Sequence, residues 1–368
     1  MTYIKNPSKE QKKQWMEATK EKERQAMKQI NQMAEQFQES PETIAEYLEF
    51  GAQFYNYSSR NTMLIYTQNK GATFVQSFKA WKDLGSSVKK GEKGISILVP
   101  VESTVLEVEK DKYVSLRNAT REQREAYEQG KITGCTRLHF RIGTVFDISQ
   151  TDYPREKYPE LFQRGYDSEH HETLYEAIKE YAFQELDVET SIEDLKSIAL
   201  NGYYMPAHNT ITLNENLEST HKLSTMTHEI GHAILHKRMR DKSVSQKEYE
   251  ADCMSILLYS HLGLEIPNSR KRHLADHFRT YQKQLLQEVQ ELSVEEQKTY
   301  ANQKIENSFA SVFSAYKEEV EKMQPHINRH LQETILMENT KSYTEKYLNL
   351  YAKKSTGISM QPNFEMEI

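Results

Sequence analysis

The stretch Thr225-Met-Thr-His-Glu-Ile-Gly-His-Ala-Ile-Leu-His236 decides how the second half of this chain is expected to fold. Its apolar residues, with those just before it, recur at the spacing of one helix face, which predicts a helix from residue 219 or 220 to residue 237. The residues expected to face the core are Leu223, Met226, Ile230, Ala233 and Ile234. The neighbouring elements are therefore expected to pack around this helix.

Two histidines and a glutamate in this helix have the spacing of a metal site. His228 and His232 are four residues apart, so about one helical turn brings both imidazoles to the same face, where one divalent cation can bind both. Glu229 lies beside the first histidine, where it can take a proton from a water on that cation, so we predict it as the catalytic base. Because a five-residue H-E-x-x-H pattern also arises by chance, the prediction depends on a third ligand.

A second helix, predicted from Lys247 to near residue 262, offers that third ligand. Glu248 and Asp252 are four residues apart on one face, which suits a metal ligand and a carboxylate that orients a liganding histidine. Glu250 lies about 200° round the helix from Glu248 and is the second candidate for the ligand. Without a metal, the same acidic residues would be a helix start favoured by the helix dipole. A metzincin is excluded, because its third histidine would fall at Arg238.

A β-hairpin over residues 201–213 is predicted just before the metal helix. In metallopeptidases of this type such a strand pairs with the substrate backbone, and the hairpin is where it would fall. His236, one turn beyond His232, is a poor ligand and is expected to face solvent or the substrate. Candidates for stabilising a transition state, with hairpin packing and turn formation as the alternative role, are Tyr203, Tyr204 and His208.

The first half of the chain has a composition suited to single-stranded nucleic acid. A lysine-rich glycine loop at residues 89–94 follows aromatic and amide residues; lysines can meet phosphates, exposed rings can stack on bases, and amides can contact base edges. The alternative is a turn with solvated lysines beside aromatic residues of a core. The candidate DNA-binding residues are Tyr57, Arg60, Asn61, Gln68, Trp81, Lys82, Lys89, Lys90 and Lys93.

An ordered set of motifs between residues 40 and 151 resembles the N-terminal domain of the ArdC-type antirestriction proteins and their relatives on conjugative elements. The motifs are Tyr57-Ser-x-x-Asn61, Leu64-Ile-x-x-Gln68, Trp81-x-x-Leu-Gly85, Val88-Lys-Lys-Gly-Glu-Lys-Gly-Ile95 and Val145-Phe-Asp-Ile-Ser-Gln-Thr151. The resemblance implies a single-stranded-DNA-binding domain followed by a zinc-metallopeptidase-like domain. The chain departs from the family by a charged insertion, about residues 102–131, before a strand at residues 136–143.

The metal motifs resemble those of gluzincin-like peptidases, including the ImmA/IrrE group, through His228-Glu-Ile-Gly-His232 and Glu248-x-x-Ala-Asp252. Both this group and the second domain of the ArdC type place the third ligand at the first glutamate of such a motif. The resemblance therefore implies zinc held by His228, His232 and Glu248, with Asp252 orienting a ligand.

Composition limits where such a protein can act. The chain has 368 residues, a net charge of −6 and a mean hydropathy of −0.81, which argues against coating nucleic acid through bulk charge and leaves any DNA affinity to one local surface. No run of about 18 apolar residues occurs, so no membrane partner is expected. Two distant cysteines and a polar N-terminus favour the reducing cytoplasm.

The predicted fold class is α+β, with an N-terminal α+β domain, a mostly helical zincin-like domain with a small sheet, and a helical C-terminal extension for partner contact. Pro325 is expected to end one helix before a last one at residues 328–352, and a basic cluster at residues 268–273 is expected to be a solvated helix start rather than a phosphate site. The predicted units are a polar helix at 1–39, the DNA-binding domain at 40–151, a linker at 152–170, the zincin-like domain at 171–285, the extension at 286–352 and a disordered tail at 353–368.

These expectations give one leading hypothesis and two alternatives. The leading one is a protein of a mobile element that binds single-stranded DNA and carries a zinc metallopeptidase-like domain, with a protein substrate open, for antirestriction or for protection of transferred DNA. One alternative is an ImmA-like regulator that cleaves a repressor. The other is a non-catalytic DNA-binding protein that zinc merely stiffens.

Overall fold

The computed structural model describes residues 8–109, 112–154, 157, 170–197, 200–237 and 241–355, and the predicted α+β class is confirmed. In these residues the helices are α1 (Lys9–Glu39), α2 (Thr43–Ala52), α3 (Ser59–Gln68), α4 (Phe78–Asp83), α5 (Arg121–Glu128), α6 (His171–Leu186), α7 (Ser219–His236), α8 (Val244–His261), α9 (Asn268–Glu288) and α10 (Val294–Ser355). The strands are β1 (Val75–Ser77), β2 (Ile95–Glu109), β3 (Lys112–Ser115), β4 (Gly134–Asp147), β5 (Glu189–Glu193), β6 (Gly202–Met205) and β7 (Thr210–Asn214).

The first sheet has the order β1-β4-β2-β3 and is antiparallel throughout. Strands β2 and β4 pair from Ile95 opposite Val145 to Leu106 opposite Gly134, which makes a long two-stranded ribbon. The charged insertion at about 102–131 lengthens both strands and adds β3 and α5, so the strand predicted at 136–143 is longer than expected. Residues 134–141 of β4 are exposed to solvent. Because neither face of this part of the strand is buried, its sequence lacks the alternation of apolar and polar residues from which a strand is predicted.

The second sheet has the order β5-β7-β6, with β5 and β7 parallel and the predicted hairpin formed by β6 and β7. The metal helix is α7, and the second predicted helix is α8. A Cβ atom built on Gly231 of α7 would lie 3.0 Å from the carbonyl oxygen of Ala251 in α8. The glycine thus lets the two helices approach closely, and this close packing fixes α8 next to the histidines.

The C-terminal helices differ from the prediction. Helix α10 continues through Pro325, because Met323 and Ile327 on either side of the proline are fully buried and pack the helix against the core. The prediction that Pro325 ends one helix before a last one begins at residue 328 is therefore wrong. Phe309 and Phe313 are buried, with ring centroids 5.4 and 5.6 Å from that of Tyr47 in α2. One hydrophobic core thus joins the first half of the chain to α10 and to the metal helices.

Two predicted segments fall mainly outside the described residues. They are the linker at 152–170, of which residues 155–156 and 158–169 are not described, and the tail from residue 356 onward. Residues 353–355 belong to α10 rather than to a tail without periodicity. Among the described helices, none combines the length and the apolar character that crossing a bilayer requires.

Candidate metal centre and its surroundings

The structure brings together His228, His232 and Glu248. The Nε2 atoms of the two histidines lie 3.4 and 3.5 Å from the same carboxylate oxygen of Glu248. One possible ligand atom from each of the three residues lies within 4.8 Å of the others. The first two residues come from α7 and the third from the first turns of α8, so the approach of the helices at Gly231 creates the cluster.

The donor set fits a divalent cation. Two imidazole nitrogens and one carboxylate oxygen are ligands that zinc takes in catalytic sites, where three protein ligands leave a position for water. Hydrogen bonds from His228 and His232 hold the pKa of Glu248 well below its usual range, so the carboxylate is ionised and attracts a cation. Glu248 is partly exposed, which leaves the cluster open to solvent.

Asp252 lies behind His228 and fixes the direction of its ring. Its carboxylate is fully buried and accepts hydrogen bonds from His228 Nδ1 at 2.9 Å, Arg270 Nη1 at 3.1 Å and His277 Nδ1 at 2.7 Å. Burial alone would raise the pKa of Asp252, but His228, His277 and Arg270 hold it well below its usual range. For His228 the effect of burial is the opposite, since burial alone would lower its pKa. The carboxylates of Asp252 and Glu248 outweigh burial and raise the pKa of His228 to about 9. With Nδ1 bound to Asp252, Nε2 of His228 faces the cluster.

We expect Asp252→Ala to lower the free energy of unfolding of the metal-free protein by about 3–5 kcal/mol, because it leaves the guanidinium of Arg270 in the interior without its carboxylate. Urea unfolding measures this change. A matched control is Asp276→Ala in α9, since Asp276 is exposed and pairs only at the surface with Arg279. Equal unfolding curves for the two variants would contradict the role given to Asp252.

Glu229 and an edge strand border the cleft in front of the cluster. The cleft has a volume of about 390 Å³, and Glu229, half-buried Tyr203 and Gly202 all line it with the two histidines. Among the described strands, β6 pairs only with β7, which leaves its other edge open beside the cleft. Of the predicted stabilising residues, Tyr204 donates its hydroxyl to Asn209 at 2.8 Å, and His208 is exposed on the turn.

His236 and Glu250 form a buried pair next to the cluster. His236 Nδ1 lies 3.1 Å from His232 Nδ1, and its Nε2 lies 3.0 Å from a carboxylate oxygen of Glu250. Of the two positions predicted for His236, the solvent-facing one is wrong, because only 6% of the residue is exposed. The substrate-side position stays a prediction, since His236 lines the cleft. Glu250 also accepts a hydrogen bond from Lys242 at 2.6 Å, and it is not one of the three residues whose ligand atoms cluster.

Five of the predicted DNA-binding residues make hydrogen bonds or ion pairs with other parts of the protein, although Gln68 itself is exposed. The amide of Asn61 both donates to and accepts from the backbone of Leu98, and that of Gln68 does the same with Ser96, so these two amides dock α3 onto β2. The other three are Trp81, which is fully buried and donates to the carbonyl of Phe146, Tyr57, which donates to the carbonyl of Val75, and Arg60, which pairs with Glu306. Burial raises the pKa of Tyr57 to about 12. The expectation that Trp81 offers an exposed ring to a base is thus not met in this conformation.

The lysines are placed differently. Lys82, Lys89, Lys90 and Lys93 are all exposed, the last three in the loop before β2. Gly91 in this loop has a φ of 92°, a left-handed conformation that favours glycine. Lys89 also donates to the carbonyl of Ser149 at 3.0 Å, which ties the loop to the turn that follows β4. These four side chains remain available to an anionic ligand.

Sequence reasoning missed several residues around the metal cluster. Arg270 belongs to the basic cluster expected to be solvated, but it reaches inward to Asp252 and to the carbonyl of Ser224. Lys271 pairs with Glu49 of α2 at 2.6 Å, so it is not a free solvated cation either. Only His236 had a signal in the nearby sequence, because it lies one helical turn after His232. No feature of the nearby sequence links Arg270 or His277 to Asp252.

An H-E-x-x-H helix packed against a helix with aligned carboxylates, beside an open strand edge, defines the second half as a zincin-like domain. Residues 183–297 match the family described as the IrrE N-terminal-like domain, and residues 3–146 match the N-terminal domain of anti-restriction factor ArdC. These two matches, one after the other along the chain, support an ArdC-type antirestriction protein.

Individual proteins match this chain at low sequence identity. An uncharacterized protein of Bacillus anthracis is 30% identical over 278 residues, which are 71% of this chain and 47% of that protein, so the chain spans about half the length of this curated relative. The metal-free crystal structure of antirestriction protein ArdC from plasmid R388 has 14% identity and a TM-score of 0.44, covering 74% of this chain and 86% of that one. Its Mn(II)-bound structure has 16% identity and a TM-score of 0.41, covering 74% and 87%.

Proposed function

We propose that the chain is a zinc-dependent peptidase joined to a single-stranded-DNA-binding domain, which serves a mobile element in antirestriction or in protection of transferred DNA. The observation that carries the peptidase half is the convergence of His228, His232 and Glu248, with Glu229 on the same cleft. The ArdC-type first domain supports the DNA half. Both cysteines are free, which supports action in the reducing cytoplasm.

Each residue of the cleft has a definable part in peptide hydrolysis. Zinc held by the three ligands would supply Lewis-acid chemistry, polarising a carbonyl and acidifying water. Glu229 accepts the proton of the attacking water and can return it to the leaving amine. The open edge of β6 can pair with an extended peptide backbone and lay it across the cleft. Asp252 keeps Nε2 of His228 turned toward the cluster.

Titration of the stripped wild-type chain with zinc tests the metal site. We expect one tightly bound zinc per chain and a higher unfolding temperature with metal than without, because a ligand that binds only the folded state stabilises it. Calorimetric titration and thermal unfolding, each after treatment with a chelator, measure the two quantities. A folded chain that binds no zinc would remove the peptidase half of the proposal.

We propose that the DNA surface lies on the ribbon of β2 and β4 together with the exposed lysine loop. Strand β4 carries no acidic residue from Gly134 to Phe146, and Arg137 and Arg141 lie on the same face of it. Phe140 and Leu138 on the opposite face are 48% and 60% exposed. The outer edge of β4 pairs with β1 only at Val145–Asp147, and no other described strand covers it. Cationic side chains and an exposed ring are what a single strand needs.

Neutralising Arg137 and Arg141 together, as Arg137→Gln with Arg141→Gln, is expected to weaken binding of a single-stranded oligonucleotide about tenfold at low salt. The slope of log affinity against log salt is expected to fall by about 1.4, since each lost phosphate contact removes about 0.7 on single strands. Fluorescence anisotropy on the full chain measures both.

The control is Arg121→Gln in α5, because Arg121 is equally cationic and exposed but pairs with Glu125 at 2.7 Å. It should bind as the wild type does. A wild type that ignores single-stranded DNA even at low salt removes the DNA half of the proposal. A wild type that binds, with an unaffected double variant, instead moves the surface away from the ribbon.

A further inference from the structure

Both histidines of the metal cluster have their second ring nitrogen engaged inside the protein. For His228 the partner is the carboxylate of Asp252. For His232 the partner is another imidazole, since its Nδ1 lies 3.1 Å from Nδ1 of His236. The two ligands are therefore supported by different chemistry. The residue that supports His232 is His236, which lies outside the two motifs that predicted the metal site.

The hydrogen bond between the two imidazoles fixes where their protons lie. When Nε2 of His232 holds a cation, the proton of the neutral ring is on Nδ1, which must then donate to Nδ1 of His236. His236 accepts at Nδ1 and so carries its own proton on Nε2. That nitrogen lies 3.0 Å from the carboxylate of Glu250, which accepts from it. The geometry is satisfied by one arrangement of protons from His232 to Glu250.

Glu250 is held firmly enough to end this chain of hydrogen bonds. Its side chain is fully buried, one oxygen accepts from Lys242 at 2.6 Å, and the other accepts from Gln246 at 2.9 Å. Lys242 supplies the opposite charge that a buried carboxylate requires. His236 itself is 6% exposed, so water does not compete strongly for its two bonds.

We propose that His236 and Glu250 are positioning residues that hold His232 as the metal ligand, with its Nδ1 protonated and its Nε2 turned to the cluster. The inference rests on the proposed metal site and deepens it. Helix α8 then contributes three carboxylates to one centre: Glu248 as a ligand, Asp252 behind His228, and Glu250 behind His232 through His236. Loss of such outer partners typically weakens metal binding about 10- to 100-fold.

The test compares zinc affinity, by competition with a chromogenic chelator, and the visible absorption of the cobalt-substituted protein in the full chain. His236→Phe removes both hydrogen bonds while filling the same space, and we expect it to weaken zinc binding at least tenfold and to alter the cobalt spectrum. Glu250→Gln keeps the shape but removes the charge, and we expect a smaller weakening of several-fold. His221→Phe, at an exposed site of the same helix, should match the wild type in both measurements.

The outcomes separate the two proposals. A wild type that takes up no zinc overturns the metal site, and this inference with it. A wild type that binds zinc while a folded His236→Phe protein binds it equally tightly, with the same cobalt spectrum, overturns the inference and leaves the metal site standing. If circular dichroism shows that His236→Phe does not fold, Glu250→Gln decides: unchanged zinc affinity and spectrum overturn the positioning role, and weakened affinity with a shifted spectrum supports it.

Discussion

Glu229→Gln is expected to retain zinc and to lose peptidase activity by about 10²- to 10⁴-fold, the range that a general base contributes. The amide has the shape of the carboxylate but cannot take a proton from water. Glu229 is 7% exposed, lines the cleft, and lies outside the three clustered ligands, so its replacement should disturb neither metal nor fold. Cleavage of a quenched peptide library, with metal content measured on the same samples, gives both results.

Glu218→Gln is the matched control for this prediction. Glu218 precedes the first turn of the same helix, is exposed, and makes no capping hydrogen bond through its side chain. It should cleave at the wild-type rate. Turnover by Glu229→Gln equal to that of the wild type would exclude the mechanism. A different result would favour the alternative in which zinc only stiffens a DNA-binding protein. In that case the wild type cleaves no peptide, and Glu229→Gln keeps the biological activity of the wild type.

The helices and the hairpin around the metal could be predicted because their signals are local. Apolar residues at helical spacing and histidines one turn apart are properties of short segments, so the helix ending at His236 and the strands on either side of Pro206 were within reach of the sequence. The full length of the ribbon of β2 and β4 was not, although a strand at residues 136–143 was predicted, because its solvated strands carry charges where a half-buried strand shows alternation. Helix α10 was misjudged at Pro325 because burial on both sides of the proline outweighs the lost backbone hydrogen bond.

The residues of the candidate site divide in the same way. His228, His232 and Glu248 follow from spacing together with family resemblance, and the structure places them within reach of one ion. Arg270 and His277 meet Asp252 only because α9 folds back over α8, a contact with no trace in local spacing. The amides of Asn61 and Gln68 have a structural role that the sequence did not reveal. A motif that resembles a DNA-binding family contains residues whose side chains hold that domain together.

His228→Ala is expected to weaken zinc binding by more than about 100-fold, because loss of a direct ligand should exceed the 10- to 100-fold cost of losing an outer partner. The metal-free variant should still fold. Asp252 keeps hydrogen bonds from Arg270 at 3.1 Å and His277 at 2.7 Å, so its buried carboxylate remains paired when His228 is gone. Elemental analysis of the purified protein and thermal unfolding with and without zinc measure the two expectations.

His221→Ala, in the same helix but exposed, controls for the general loss of an imidazole and should bind zinc as the wild type does. The stabilisation by zinc seen in the wild type should disappear in His228→Ala and persist in His221→Ala, because only the first removes a ligand of the folded state. One equivalent of zinc retained by His228→Ala after chelation would mean that other residues hold the metal. The cleft would then lose its assignment as the reaction centre, since Glu229 can act only on a water that lies beside His228 and His232.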